Sequence, residues 1–213
     1  MKSSSTFRAV LTAASLWALT ASHAAEGWTD YFARPGGSVT IDGTSTIHDW
    51  TVEGKLIGGK VQVGPNFPVG AKANSVAPGK VDGKVSVIIP ARSLKSGKSA
   101  MDDVMLEAMK AQEHPRIEYS LTELTLKEKP GTADAPHVFE AKGSLTVSGV
   151  TKPITMPITM TAPDRKSLRF AGETKIKMTD FGIQPPAPKV AAGLITTGDE
   201  VTIKFDWLTA EKD

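Results

Sequence analysis

Cysteine is absent from all 213 residues. Stability therefore rests on burial and hydrogen bonding alone, even in a compartment where disulfides would form. Thiol catalysis, Cys-ligated zinc and iron–sulfur clusters are excluded by the same count, whereas bound quinone or haem is not. A long apolar run is missing too. The longest, Ala9 to Ala21, is short of the roughly 20 residues that span a bilayer. It follows the basic residues Lys2 and Arg8 and precedes the small residues Ser22-His23-Ala24, the pattern of a secretory signal cleaved after Ala24. The expected mature chain, residues 25–213, is then one exported domain with no membrane-spanning segment.

An excess charge is lacking as well. The whole chain has 25 Lys+Arg and 23 Asp+Glu, and the signal removes only Lys2 and Arg8, leaving 23 of each. A neutral chain offers no electrostatic reason to bind nucleic acid or an anionic membrane. There is no Gly-rich phosphate loop between a strand and a helix, and no serine elbow. His48, His114 and His137 are far apart in the sequence, without the short spacing common in metal sites. No metal, cofactor or catalytic residue is expected.

What is present is alternation. Val39 and Ile41, Trp50 and Val52, Val85, Val87 and Ile89 each alternate with outward-facing neighbours, as strands with one buried face do. The same period runs through Phe139–Val147, Ile154–Met160, Ile176–Met178 and Val201–Trp207. Weaker runs occur at 55–63 and 168–173. In the run from Ile117 the phase changes between Leu121 and Leu124, predicting a bulge near Thr122 and Glu123. Pro157 predicts an edge or a bulge within its strand. Gly43-Thr44-Ser45 reads as a turn, and 64–80, 128–137 and 184–198 as loops.

One stretch is helical. Met101, Val104, Met105, Ala108 and Met109 recur at i, i+3 and i+4 between Ser99 and Gln112. Ser99 reads as its N-cap, and Asp102 and Asp103 as solvated acids of the first turn. The methionine stripe suits core filler or an adaptable lid. The fold class is all-β, a sandwich or a closed barrel; closing the sheet removes its edges and favours an antiparallel β-barrel of about eight strands with one short α-helix between strands. Small Ala141 and Gly143 on the inner face predict internal space.

Four segments resemble the YceI-like family. Gly143-Ser-Leu-Thr-Val-Ser-Gly149-Val-Thr-Lys-Pro153 is similar to its G-x-L-T-x-x-G-V-T-K-P pattern. Lys175–Ile183, Pro115–Ser120 and Ile89–Gly97 supply the others, in the family's order. The resemblance implies a lipocalin-like barrel holding a long isoprenoid-type or other long-chain lipid, and a homodimer, which the family often forms. The family's Arg-Asp-x-His-Leu stretch at the helix is here Met101-Asp102-Asp103-Val104-Met105, which keeps only the Asp.

Strand parity then names the candidate lining of a lipid pocket: Trp50, Val87, Phe139, Leu145, Met156, Ile176 and Phe205, with Met105 from the helix. Two other readings stand beside it. One is a filled barrel acting as an interaction module through its loops. The other is a hydrolase built on His48 with a nearby Ser or Asp, which adjacent residues on opposite strand faces disfavour.

Overall fold

In-out alternation gives nearly every segment one face to bury, and a closed sheet gathers those faces inside. The computed structural model describes residues 27–128, 130, 132, 135–187 and 195–212. The signal segment lies outside these, as do parts of the loops at 128–137 and 184–198. The described strands are β1 (Thr29–Ala33), β2 (Ser38–Ser45), β3 (Trp50–Gly54), β4 (Gly58–Val63), β5 (Gly79–Lys80), β6 (Gly83–Pro90), β7 (Arg116–Glu128), β8 (His137–Val147), β9 (Val150–Asp164), β10 (Ser167–Lys177) and β11 (Thr197–Glu211). The helix α1 (Ser99–Ala108) lies between β6 and β7.

The pairing order β1-β4-β6-β7-β8-β9-β10-β11 returns to its start, because β1 also pairs β11 with Tyr31 opposite Glu211. Eight strands thus close an antiparallel, lipocalin-like barrel. β2 and β3 continue the wall along the other half of β11, with Ile41 opposite Ile203. Among the described residues, no helix is long and apolar enough to cross a membrane.

Strand β8 shows the alternation most cleanly. His137, Phe139, Ala141, Gly143, Leu145 and Val147 point inward. The register against β7 shifts between Leu121 and Glu123, as the phase change predicts. Pro157 stands where the β9–β10 ladder ends at Ile158, so its missing N–H interrupts no pairing with β10. Two local expectations are corrected. Gly43–Ser45 belongs to β2, and the turn is at 46–49, where Ser45 Oγ accepts from the Ile47 and His48 amides. The helix stops at Ala108 because Lys110 turns left-handed, with φ 51°.

One barrel end is packed solid. The excursion after β4 inserts Phe67, 1% exposed, and its ring stacks on Phe139 at 5.7 Å. His137 Nε2 lies 2.7 Å from the Ala73 carbonyl, tying this excursion to β8. The other end is covered by α1. There β8 and β9 are joined by a two-residue turn with Ser148 at φ 50° and Gly149 at φ 77°, the backbone of a tight hairpin. Ser148 Oγ donates to the Met109 carbonyl at 2.8 Å, fastening the end of α1 to that hairpin.

Candidate functional site

Between the packed end and the helix, the inward residues change character. Val85, Val87 and Ile89 of β6, and Ile203 and Phe205 of β11, point inward yet are only half-buried. They border a cavity rather than one another. It has two chambers. The outer, of about 470 Å³, lies under α1 and reaches a rim at Ile47, His48 and Lys98. The inner, of about 130 Å³, has no exposed residue in its lining. Ile41, Ile117, Leu145 and Ile203 line both chambers and form the neck where they meet. A filled barrel is therefore not what this chain forms.

Glycine–aromatic pairs keep the walls flat. A Cβ on Gly43 would run into the Trp50 ring, one on Gly143 would lie 2.5 Å from Tyr119, and one on Gly172 2.8 Å from Phe205. Each ring lies against a neighbouring strand's bare backbone instead of projecting across the barrel. Gly143 was expected to open space itself. Its space is taken by Tyr119, and the room is gained beyond that ring. Trp50 is further fixed by its indole N–H, which donates to the Thr44 carbonyl at 3.0 Å.

Of the parity-chosen residues, Trp50, Met105 and Ile176 line the outer chamber. Val87, Met156 and Phe205 line the inner one, and Leu145 lines both. Phe139 lines neither, because Phe67 covers it in the packed end. Parity alone could not separate packed inward positions from cavity ones. Tyr119, Ile41, Ile203 and Trp207 are inward by the same parity and also belong to the lining. Met101, Met105 and Met109 all face the outer chamber, so the methionine stripe is its flexible roof.

The roof is held by a carboxylate. Asp102 is not a solvated first-turn acid but 7% exposed. Its Oδ1 accepts from the Ser96 amide and the Ser96 hydroxyl, both at 2.7 Å. Lys98, not Ser99, is the N-cap, and no side chain caps it. The Ser96 backbone N–H, then its hydroxyl, hold the Asp102 carboxyl below the usual carboxylate range, with Lys95 at 3.6 Å adding to this. A depressed folded-state pKa gives stability that is present above the unfolded value, about 3.9, and is lost as pH falls through the folded one. Asp102→Asn removes this dependence. The variant should lose about 1.5–3 kcal/mol at neutral pH, the range for hydrogen bonds to a charged group. Thermal melts should show the two proteins converging as the pH is lowered beneath about 4.

Among the described residues, His48 at the rim does not form the Ser-His-Asp arrangement that its neighbours suggest. His48 is exposed, and its Nδ1 lies 2.8 Å from the Asp49 carbonyl. Ser45 Oγ donates to the His48 carbonyl, not to its ring. Among the described residues, no three His, Cys, Asp or Glu side chains are grouped to hold a metal.

An antiparallel barrel closed at one end, roofed by a helix and hollow between, defines the class of lipocalin-like barrels. The sequence matches the YceI-like domain over residues 17–208, and the chain belongs to that family. Similar solved structures include BcnA from Burkholderia cenocepacia, 18% identical with a TM-score of 0.60, covering 81% of this chain and 95% of that one. Another is a polyisoprenoid binding domain from Saccharophagus degradans implicated in plant cell wall breakdown, 10% identical with a TM-score of 0.61, covering 86% and 99%. A third is the YceI protein of Campylobacter jejuni, 17% identical with a TM-score of 0.55, covering 76% and 85%. At these identities the likeness is one of fold. No curated protein matches the chain.

Proposed function

We propose that this protein is a periplasmic binding protein that holds an apolar amphiphile inside its barrel, for sequestration or transport. The amphiphile is an isoprenoid, a quinone tail or a fatty-acid-like chain. The observation that carries this reading is the two-chambered apolar cavity, which runs from an accessible rim past the neck at Leu145 to Trp207. Cavities of this size lower stability by tens of cal/mol per Å³, about 24 in core deletions. A bound ligand offsets that burden, by about 2.7 kcal/mol at a hundred times its dissociation constant. The likeness in fold to a domain described as binding polyisoprenoid supports the ligand class.

Within this reading the lining residues Trp50, Val87, Met105, Leu145, Met156, Ile176 and Phe205 contact the chain of the ligand, and no residue acts as a catalyst. Residues 1–24 direct export and are removed. A homodimer fits the reading without being needed by it, since the cavity is built from one chain.

The test is gentle purification from the native host, organic extraction, and mass spectrometry of the extract. A stoichiometric long-chain lipid is expected. Returning that lipid to stripped protein should raise Tm by about 5–10 °C, at 2–4 °C per kcal/mol for a domain of this size. A clean extract, with Tm unmoved by added lipids of these classes, refutes the proposal.

A further inference from the structure

With no cysteine in the chain, its only sulfur atoms are methionine thioethers. Of the seven methionines, Met1 lies outside the described residues. The others are unevenly spread. Met101, Met105, Met109 and Met178 line the outer chamber, Met156 lines the inner one, and Met160 lines neither. They also differ in exposure. Met101 and Met105 on α1, and Met178 just after β10, are half-buried in a chamber that reaches the rim. Met109, Met156 and Met160 are 9%, 8% and 1% exposed. The surrounding lining is largely aliphatic, with Val104, Ile117, Leu145 and Ile176. Methionine fills irregular apolar space as these residues do, but alone among them it takes up an oxygen atom.

We propose that the outer chamber is an oxidation site: hydrogen peroxide converts the Met101, Met105 and Met178 thioethers to sulfoxides, and the bound amphiphile is released. The sulfur lone pair attacks one peroxide oxygen, and an S–O bond forms as the O–O bond breaks. The departing hydroxide takes the proton of the new S–OH group and leaves as water. Sulfur is oxidised by two electrons, the peroxide is reduced by two, and no co-reactant is needed.

The inference rests on the cavity-binding reading and adds a control to it. A sulfoxide makes a flexible apolar side chain polar. An apolar chain lying under the roof would cover the new oxygen and strip it of water, so oxidation opposes binding. Binding in turn opposes oxidation, because a chain that fills the chamber covers the thioethers.

Stripped protein is treated with hydrogen peroxide, with and without saturating 1-tridecanol, and its peptides are followed by mass spectrometry. Sulfoxide is expected first at Met101, Met105 and Met178 and last at Met156 and Met160, and the alcohol should slow the first three. On the same samples, 1-tridecanol is titrated to displace N-phenyl-1-naphthylamine. Oxidation should weaken its binding at least about tenfold, the scale of burying a polar group without a partner, while the cooperative thermal melt is retained. In the variant Met101→Leu/Met105→Leu/Met178→Leu, which conserves volume, affinity before and after peroxide should agree whatever its starting value. Four results each overturn the inference while the cavity reading stands. They are oxidation of Met156 or Met160 as fast as the roof, unchanged affinity after full conversion of the three, an equal loss in the triple variant, and loss of the cooperative melt. Failure of untreated protein to bind both dye and alcohol overturns both readings.

Discussion

Replacing Leu145 with tryptophan should block lipid uptake without unfolding the protein. Leu145 is one of four side chains that line both chambers, and it is 7% exposed on β8 between the Tyr119 wall and the roof. An indole there fills the neck, so a chain can no longer pass from rim to inner chamber. In a packed core such an enlargement costs about 1–3 kcal/mol. Here the added ring enters cavity space, and the melting temperature of stripped protein should stay within a few degrees of wild type. Affinity for a long-chain probe should fall at least about a hundredfold, close to 2.8 kcal/mol. Ile203→Trp, placed in the same neck from β11, should reproduce the result. Dye displacement and thermal melts on the same samples check it. Retained affinity in both variants would mean that ligand does not traverse the barrel.

Phe67→Ala should produce the largest loss of stability. Phe67 is 1% exposed, stacks on Phe139 and anchors the excursion that closes the far barrel end. Truncating a buried phenylalanine costs about 3–5 kcal/mol, or a Tm lower by about 6–20 °C at 2–4 °C per kcal/mol. Ligand affinity should change much less, because Phe67 lines neither chamber. Chemical denaturation and probe binding on one preparation separate the two effects. A binding loss as large as that of Leu145→Trp would mean that bound ligand reaches the Phe67 end of the barrel.

These two outcomes also mark how far the sequence could be read. Phe139 and Leu145 are both inward residues of β8, and their alternation alone makes them equivalent. What distinguishes them is Phe67, which arrives from another part of the chain and covers Phe139. No local pattern encodes that contact. The barrel itself was legible, because one-faced strands have few ways to bury their faces. Even the bulge at Leu121–Glu123 shows as a slip in phase.

The helix was legible in its stripe but not in its anchors. Met101, Met105 and Met109 announce a face, and that face roofs the cavity. Asp102 read as an ordinary first-turn acid because the Ser96 amide that it accepts from belongs to the preceding loop. The G-x-L-T-x-x-G pattern gains a physical meaning in the structure. Gly143 gives Tyr119 a place to lie, and Gly149 completes the left-handed turn whose Ser148 hydroxyl holds α1. Tyr119 and Trp207 had the right parity to be named. Which of the inward residues border a chamber and which pack solidly is decided by the assembled barrel.

The most direct test of the account is electron density inside the barrel of protein purified from its own host without denaturation. Continuous, chain-like density is expected from the rim near Lys98, past the neck at Leu145, into the inner chamber. A barrel interior holding only ordered water, in protein that was never stripped, would contradict it.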